Sequence, residues 1–290
     1  MHQHVVTRPA PPWLACDGRL QVHQVPLGHD NLGWVVVCTQ TGVCAAVDGP
    51  EAGPVLALIE ARGWRLEAIL NTHAHGDHIG INRDLQRAGR LQGLRVVGRA
   101  LRSGDIPGLS HPVGEGDPVV IGAVQGTTWL TEGHVDGHLS FVFDGALFCG
   151  DTLFTGGCGR LFHGPPQKMH ASLRRLAGLD GESRVCCAHE YTVDNLRFAW
   201  SVEPGNRALA ERIKRVWALR QQGGSAVPST VAMERATNPF MRCDSPALRQ
   251  HLHKVSGLSP EASDVEVFTA ARALKDRGAY RELGDADLPL

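Results

Sequence analysis

The chain has 290 residues, 42% of them hydrophobic, and a formal net charge of −1 at pH 7. That is enough apolar material for one large domain or for a main domain with an appendage. The near-neutral balance supplies no basic field for nucleic acid, and no run is long and apolar enough to span a bilayer.

Residues 1–18 are Pro-rich, open as Met-His-Gln-His-Val-Val-Thr-Arg-Pro, and lack the basic-then-apolar layout of a signal peptide. They read as a flexible or surface-draped arm. Strand-like runs follow at 20–27, 32–38 and 43–48, separated by Gly- and Asp-containing turns. A helix is expected over 52–61, ended by Gly63, then a strand over 66–70 and a helix over 78–88 stopped by Gly89. Strands are expected again at 95–98, 118–121 and 124–131. Those at 139–143 and 146–149 flank Asp144-Gly145, a two-residue hairpin signal. A helix over 167–176 and a short strand over 184–187 lead to Ala188-His189-Glu190.

From about Thr192 the period changes. Leu209, Ile213, Val216 and Trp217 share one helical face, and Arg212, Lys214, Arg215 and Arg220 lie largely off it, as a solvated face would. Ser245-Pro246 opens a further helix closed by Gly257, and Ser259-Pro260-Glu261 opens the last one. Strands interleaved with helices, then helices alone, predict an α/β sandwich over 19–191 followed by a helical domain over 192–290. The eight cysteines are scattered and form no Cys-x-x-Cys pair, which fits reduced thiols in a cytoplasmic protein.

Chemistry concentrates in Thr72-His73-Ala74-His75-Gly76-Asp77-His78, just past the apolar run at 66–70. In an extended loop, side chains at i and i+2 point the same way, so His73 and His75 can grip one cation. Asp77 and His78 sit where the chain turns into a helix and suit a second. Three more candidates follow predicted strands: His134 in Gly133-His134-Val135-Asp136-Gly137-His138, Asp151 after Gly150, and His189. Loops just beyond strands are where sheet proteins carry functional groups.

His-x-His-x-Asp-His after an apolar strand resembles the signature of the metallo-β-lactamase superfamily, and later stretches narrow the resemblance to the glyoxalase II (hydroxyacylglutathione hydrolase) family. The resemblance implies an αββα sandwich with a C-terminal helical domain. It also implies that His73, His75 and His134 hold one divalent metal ion, and that Asp77, His78 and His189 hold the other. Asp151 and a hydroxide would bridge the two, with Asp77 and Asp151 as the catalytic carboxylates. Zinc is expected, and iron or manganese would also fit His and Asp donors. The family's second histidine in the 134–138 motif is not a ligand, so His138 is read as supporting the site, and Val135 stands where threonine is usual.

Gly156-Gly157-Cys158-Gly159-Arg160-Leu161-Phe162 resembles the family's glycine-rich loop, which assigns Arg160 and Phe162 to glutathione. Arg160 replaces the common lysine and Phe162 the common tyrosine, removing one hydroxyl contact. Tyr191, in His189-Glu190-Tyr191-Thr192, and the helical pair Arg272 and Lys275, followed by Asp276, are similar to the remaining glutathione contacts. The implied activity is hydrolysis of S-(2-hydroxyacyl)glutathione, typically S-D-lactoylglutathione, to glutathione and a 2-hydroxy acid in methylglyoxal detoxification. The enzyme would be a monomer with a glutathione thioester as partner and neither nucleic acid nor membrane. Competing readings are a mononuclear iron persulfide dioxygenase, another hydrolase of the fold, a nucleic-acid-processing member, and a catalytically silent metal-binding module. No Gly-x-Ser-x-Gly elbow suggests serine chemistry instead.

Overall fold

The computed structural model describes residues 4–102 and 104–290. Seven strands form the first sheet in chain order: β1 (Trp13–Ala15), β2 (Leu20–Leu27), β3 (Asn31–Cys38), β4 (Val43–Val47), β5 (Arg65–Leu70), β6 (Arg95–Gly98) and β7 (His111–Pro112). β1 to β4 pair antiparallel and β4 to β7 parallel. The switch happens because α1 (Gly53–Ala61) and α2 (Gly80–Arg87) supply the crossovers that parallel pairing requires. β3 runs Leu-Gly-Trp-Val-Val-Val-Cys without a polar break because both its faces are covered. Trp34 and Val36 enter the core between the sheets, whereas Val35 and Val37 pack outward with Val55, Ile59, Ile81 and Leu85 of the two helices.

The second sheet is built from β8 (Pro118–Ile121), β9 (Val124–Leu130), β10 (Leu139–Phe143) and β11 (Ala146–Gly150), all antiparallel. A two-stranded ribbon, β12 (Leu153–Phe154) and β13 (Gly157–Cys158), precedes α3 (Pro166–Leu176). β14 (Arg184–Cys187) then returns parallel to β11. Phe141 and Phe148 from this sheet meet Trp34 in the shared core.

The remaining chain is α4 (Thr192–Val202), α5 (Arg207–Gln221), β15 (Ser229–Thr230), α6 (Val231–Thr237), α7 (Pro246–Ser256) and α8 (Asp264–Arg277). Helix ends follow side-chain chemistry. Ser245 caps α7 with Pro246 in its first turn, and Gly257, at φ 68°, closes it.

Four expectations are corrected. The last helix starts at a Ser263–Glu266 capping box and not at Ser259-Pro260, because Ser263 and Glu266 satisfy each other's backbone N–H groups. The C-terminal part is not purely helical: β15 joins the second sheet beside β14. Arg212 and Arg220 are not a solvated face. Arg212 is buried against Glu234, Thr237 and Ser229, and Arg220 donates to Gly224 O and Val5 O. Within the segment expected to be a flexible arm, residues 13–15 form β1 and residues 4–10 hydrogen-bond to the body of the protein. Residues 1–3 of that arm lie outside the described residues.

Gly80 is required by packing. A Cβ there would stand 1.8 Å from Pro50 O, so only glycine lets α2 begin against the chain leaving β4. Gly80→Ala forces those backbones apart. We expect a loss of about 1–3 kcal/mol, seen as a drop of several degrees in thermal unfolding midpoint. An unchanged midpoint would show that Pro50 yields freely.

Candidate metal centre

The first sheet's parallel half ends at one rim, where Asp48 follows β4 and Asn71–His78 follow β5. Asp48 is buried, with φ 50°. Its Oδ1 accepts Thr72 N at 2.9 Å, and its Oδ2 accepts Thr72 Oγ1 at 2.6 Å and His78 Nδ1 at 2.9 Å. This folds the histidine loop back over the sheet edge. From the second sheet come His134, beyond β9, Asp151, one residue past β11, and His189, beyond β14. β3 enters from the side: Leu32 N donates to Ala188 O, which brings Asp30 and Asn31 against His189 and Asp77.

All seven predicted ligands meet there. His73, His75, His134 and Asp151 form one group and Asp77, His78 and His189 another, with donor atoms inside each group within 4.8 Å of one another. Asp151 joins the groups. Its Oδ2 lies 3.4 Å from His134 Nε2, and its Oδ1 lies 3.5 Å from both His78 Nε2 and His189 Nε2. Asp77 Oδ2 lies 3.4 Å from His189 Nε2 and 3.7 Å from His78 Nε2.

The ring orientations are held from behind. His78 Nδ1 donates to Asp48, His189 Nδ1 to Asp30 at 3.0 Å, and His134 Nδ1 to Arg160 O at 2.8 Å. Thr72 gives its hydroxyl proton to Asp48, so it accepts from His73 Nδ1 at 3.1 Å. In each neutral ring the Nε2 lone pair then faces inward, the arrangement metal-binding histidines use. His73 Nε2, His78 Nε2 and Asp151 Oδ1 are buried without a hydrogen-bond partner. Buried polar atoms are rarely left so, and a cation would satisfy all three. The donor set therefore fits divalent metal ions.

Charge balance agrees. Burial, reinforced by the neighbouring His78, holds His73 well below the usual imidazole range, and burial also lowers His134. Burial opposes charge on His78 and His189 too, but Asp151 and Asp48 raise the first well above the ordinary value, and Asp151, Asp30 and Asp77 raise the second to about 9. Burial would raise Asp151, yet His189 and His78 pull it well below the carboxylate range. The carboxylates thus draw positive charge into a nearly dry site.

His138 lies beneath the cluster, stacked on His73 with centroids 4.8 Å apart, and its Nε2 accepts Asp151 N at 3.1 Å. Val135 is buried. Gly159 lets the 156–160 loop pass Asp151: a Cβ there would stand 1.9 Å from Asp151 O. Sequence reasoning missed Asp30, Asn31, Thr72 and Asp48. The strand-end rule that found Asp151 applies equally to Asp48, which directly follows an apolar strand.

Beside the cluster opens a cavity of about 640 Å³ at the junction with the helical part. Arg160, Tyr191, Arg272 and Lys275 line it, together with Asp194 and His4. Phe162 is not part of that lining, though the Arg160 guanidinium lies 5.9 Å from its ring centroid. It is 55% exposed and stands edge-on to His75 and His134, at 5.5 and 5.2 Å between ring centroids. Lys275 Nζ donates to Asn195 at 2.6 Å and Asp194 at 3.2 Å, and Arg272 to Asp276 at 2.7 Å. Burial, partly offset by Asp194, lowers the Lys275 ammonium to about 8.

Comparison with known proteins agrees with this arrangement. Residues 41–189 match the family model of the metallo-beta-lactamase superfamily, and residues 190–278 match that of the hydroxyacylglutathione hydrolase C-terminus. Hydroxyacylglutathione hydrolase of Methylococcus capsulatus is 47% identical over 259 residues, 89% of this chain and 98% of that one. The Rhodobacter capsulatus protein of the same name is 45% identical over 260 residues, 89% and 99% of the two chains. Among solved structures, TTHA1623 in a di-iron-bound form superposes with a TM-score of 0.51 at 27% identity, covering 72% of this chain and 94% of that one. ETHE1 from Myxococcus xanthus shares the fold, with a TM-score of 0.56 at 20% identity over 89% of each chain. With two adjoining family models and relatives matched along nearly their whole length, the chain belongs to the hydroxyacylglutathione hydrolase family of the metallo-β-lactamase superfamily.

Proposed function

We propose that the protein is a dinuclear metal-dependent thioester hydrolase that cleaves S-(2-hydroxyacyl)glutathione to glutathione and a 2-hydroxy acid. The observation that carries this reading is the junction itself: two donor groups joined through Asp151, beside a cationic cavity at the helical part. His73, His75 and His134 hold one ion, and Asp77, His78 and His189 the other, with Asp151 between them. Zinc is the expected metal, and iron or manganese are alternatives that the same donors accept. We divide the chain into a metal-binding catalytic domain over 19–191 and a glutathione-binding domain over 192–290. A single chain carries both donor groups and the cavity, so a monomer suffices. Eight buried, unpaired cysteines favour a cytoplasmic setting.

Bound divalent ions supply Lewis acidity, polarising a carbonyl and bringing the pKa of water from 15.7 to about 7. The chain's own groups do the rest. Asp151 stays ionised and keeps one oxygen toward each donor group. Asp77, held by Asn31 Nδ2 at 3.1 Å, is the carboxylate nearest solvent and is assigned as the second catalytic carboxylate. Arg272 and Lys275 pair with the glycine carboxylate, and Tyr191 and Arg160 line the path from that carboxylate to the sulfur. A departing thiolate, with a thiol pKa of about 8.5, needs no general acid. The second donor group argues against a mononuclear iron dioxygenase.

Three outcomes test the reading. Asp151→Ala should abolish hydrolysis of S-D-lactoylglutathione and lower metal content below two ions per chain by elemental analysis; wild-type rates in that variant would refute it. Asp48→Asn or Asp30→Asn, which misorient His78 or His189, should each weaken metal affinity about 10- to 100-fold in chelator competition. Lys275 also sets a pH limit. With its free-enzyme pKa lowered to about 8, it loses its proton, and with it the substrate carboxylate's partner, as pH rises through that value. Accordingly kcat/KM should fall above about pH 8, and Lys275→Arg, which stays charged, should remove that fall.

A further inference from the structure

The segment before β1 carries a residue that none of the family motifs includes. It is a strap pinned at several points. Val5 O accepts from Arg220 at 2.7 Å, Thr7 N and Arg8 N both donate to Gly223 O at 3.1 and 2.9 Å, and Ser225 N donates to Arg8 O at 3.2 Å. Ala10 N donates to Gln24 Oε1 at 2.9 Å, and Gln24 Nε2 in turn to Val227 O at 2.8 Å. Together these bonds tie the strap to the turn after α5 and to β2, and they place His4 at the cavity. Residues 4–10 lie outside both family models, the first of which begins at residue 41 and the second at residue 190.

At that end His4 forms part of the cavity wall. Its ring meets Tyr191 edge-on, with centroids 5.4 Å apart and planes at 85°. Tyr191 is itself stacked on His189, at 4.8 Å and 3°, and edge-on to Phe154. The His4 ring is also fixed in rotation, because Nδ1 donates to Glu190 O at 3.0 Å. A carbonyl oxygen only accepts, so the proton of the neutral ring sits on Nδ1 and Nε2 carries a lone pair. The other nitrogen-bearing side chains that line the cavity are donors: Arg160, Arg197, Arg272, Lys275 and Arg281, besides the amide of Asn195. Glutathione brings N–H groups as well as carboxylates, two amides and an ammonium, and the two carboxylates of the lining, Asp194 and Asp276, already accept from Lys275, Tyr280, Arg281 and Arg272.

From this we infer that His4 is a substrate-binding residue, delivered by the strap, whose imidazole packs on Tyr191 and accepts a hydrogen bond from an N–H of the glutathione portion. The inference rests on the thioesterase reading for the identity of the ligand. His4 makes its contacts to Tyr191 and to the Glu190 carbonyl, not to a donor atom of the metal centre, so its contribution falls on binding and not on the chemical step. It belongs to this chain's own strap and not to the shared catalytic scaffold.

The test uses the full-length, metal-loaded enzyme with S-methylglutathione, a thioether that cannot be hydrolysed, titrated by calorimetry. His4→Ala should weaken its binding about 3- to 10-fold, the scale of one hydrogen bond with its packing. The same variant should raise KM for S-D-lactoylglutathione by a similar factor while kcat stays put. It should leave the hydrolysis of an acyl thioester of mercaptoacetate, which has neither flanking amino acid, unchanged. His4→Phe keeps the ring against Tyr191 but has no acceptor, and should recover only part of the loss. Arg8→Pro removes the N–H that holds the strap to Gly223 and should reproduce the His4→Ala affinity. Wild-type affinity in His4→Ala would overturn this inference alone. No binding of the thioether by the wild-type enzyme would overturn both it and the thioesterase reading.

Discussion

The structure turns on the cost of gathering carboxylates and imidazoles where water is nearly excluded. Asp48, Asp151, His73, His78, His134 and His189 are all buried, within a few ångströms of one another, at the rim shared by the two sheets. Burying an unpaired charge is prohibitive, so such a cluster persists only if each negative group faces a positive or proton-bearing one. Asp48 meets that condition inside the protein by accepting Thr72 and His78. Asp151 does not: its Oδ1 is orphaned, as are the Nε2 atoms of His73 and His78 that face the same space. The fold thus completes the outer layer of bonds and leaves the inner one for cations.

That division explains what could be read from the chain alone. The His73-x-His75-x-Asp77-His78 spacing is local, so its chemistry was visible as text. His134, Asp151 and His189 were visible because each follows a strand-like run. Asp30 and Asp48 carry no motif of their own. They matter because β3 and β4 bring them behind His189 and His78, and strand pairing at that distance leaves no mark on neighbouring letters. The same limit applies to Arg212. Its helical position puts it off the apolar face of α5, yet Glu234, 22 residues away, makes it an interior residue. Proline-rich composition concealed β1 in a similar way: its two-residue repeat, buried Trp13 and Ala15 around exposed Leu14, is too short to stand out.

Arg212 also joins the two halves of the molecule. Glu234, fully buried, takes its charge partner from α5, and its Oε2 accepts Gly156 N at 2.8 Å and Asn238 Nδ2 at 3.0 Å. Asn238 donates in turn to Phe154 O and Gly157 O. The ribbon β12–β13 is therefore held by the helical part, and that ribbon leads into Gly159 and Arg160, whose carbonyl orients His134. A bond made by a helix more than 70 residues downstream consequently sets the angle of a ring in the metal centre. The helical part thus fixes the loop whose Arg160 carbonyl orients His134.

The cationic cavity is arranged by similar reasoning. A lysine as buried as Lys275 costs stability while it is charged, and the downward pull on its pKa measures that cost. Asp194 and Asn195 offset it in part, and Asp194 also receives Tyr280 at 2.7 Å and Arg281 at 3.4 Å, so its negative charge is shared among three donors. A ligand carboxylate entering the cavity meets an ammonium whose own partner is already divided. Its arrival favours the charged form of Lys275, lifts the pKa back toward its ordinary range, and recovers in binding what burial had cost the fold. On the proposed reading the metal end requires only a carbonyl and a leaving group, so this under-compensated cation would favour thioesters that carry a carboxylate over those that do not.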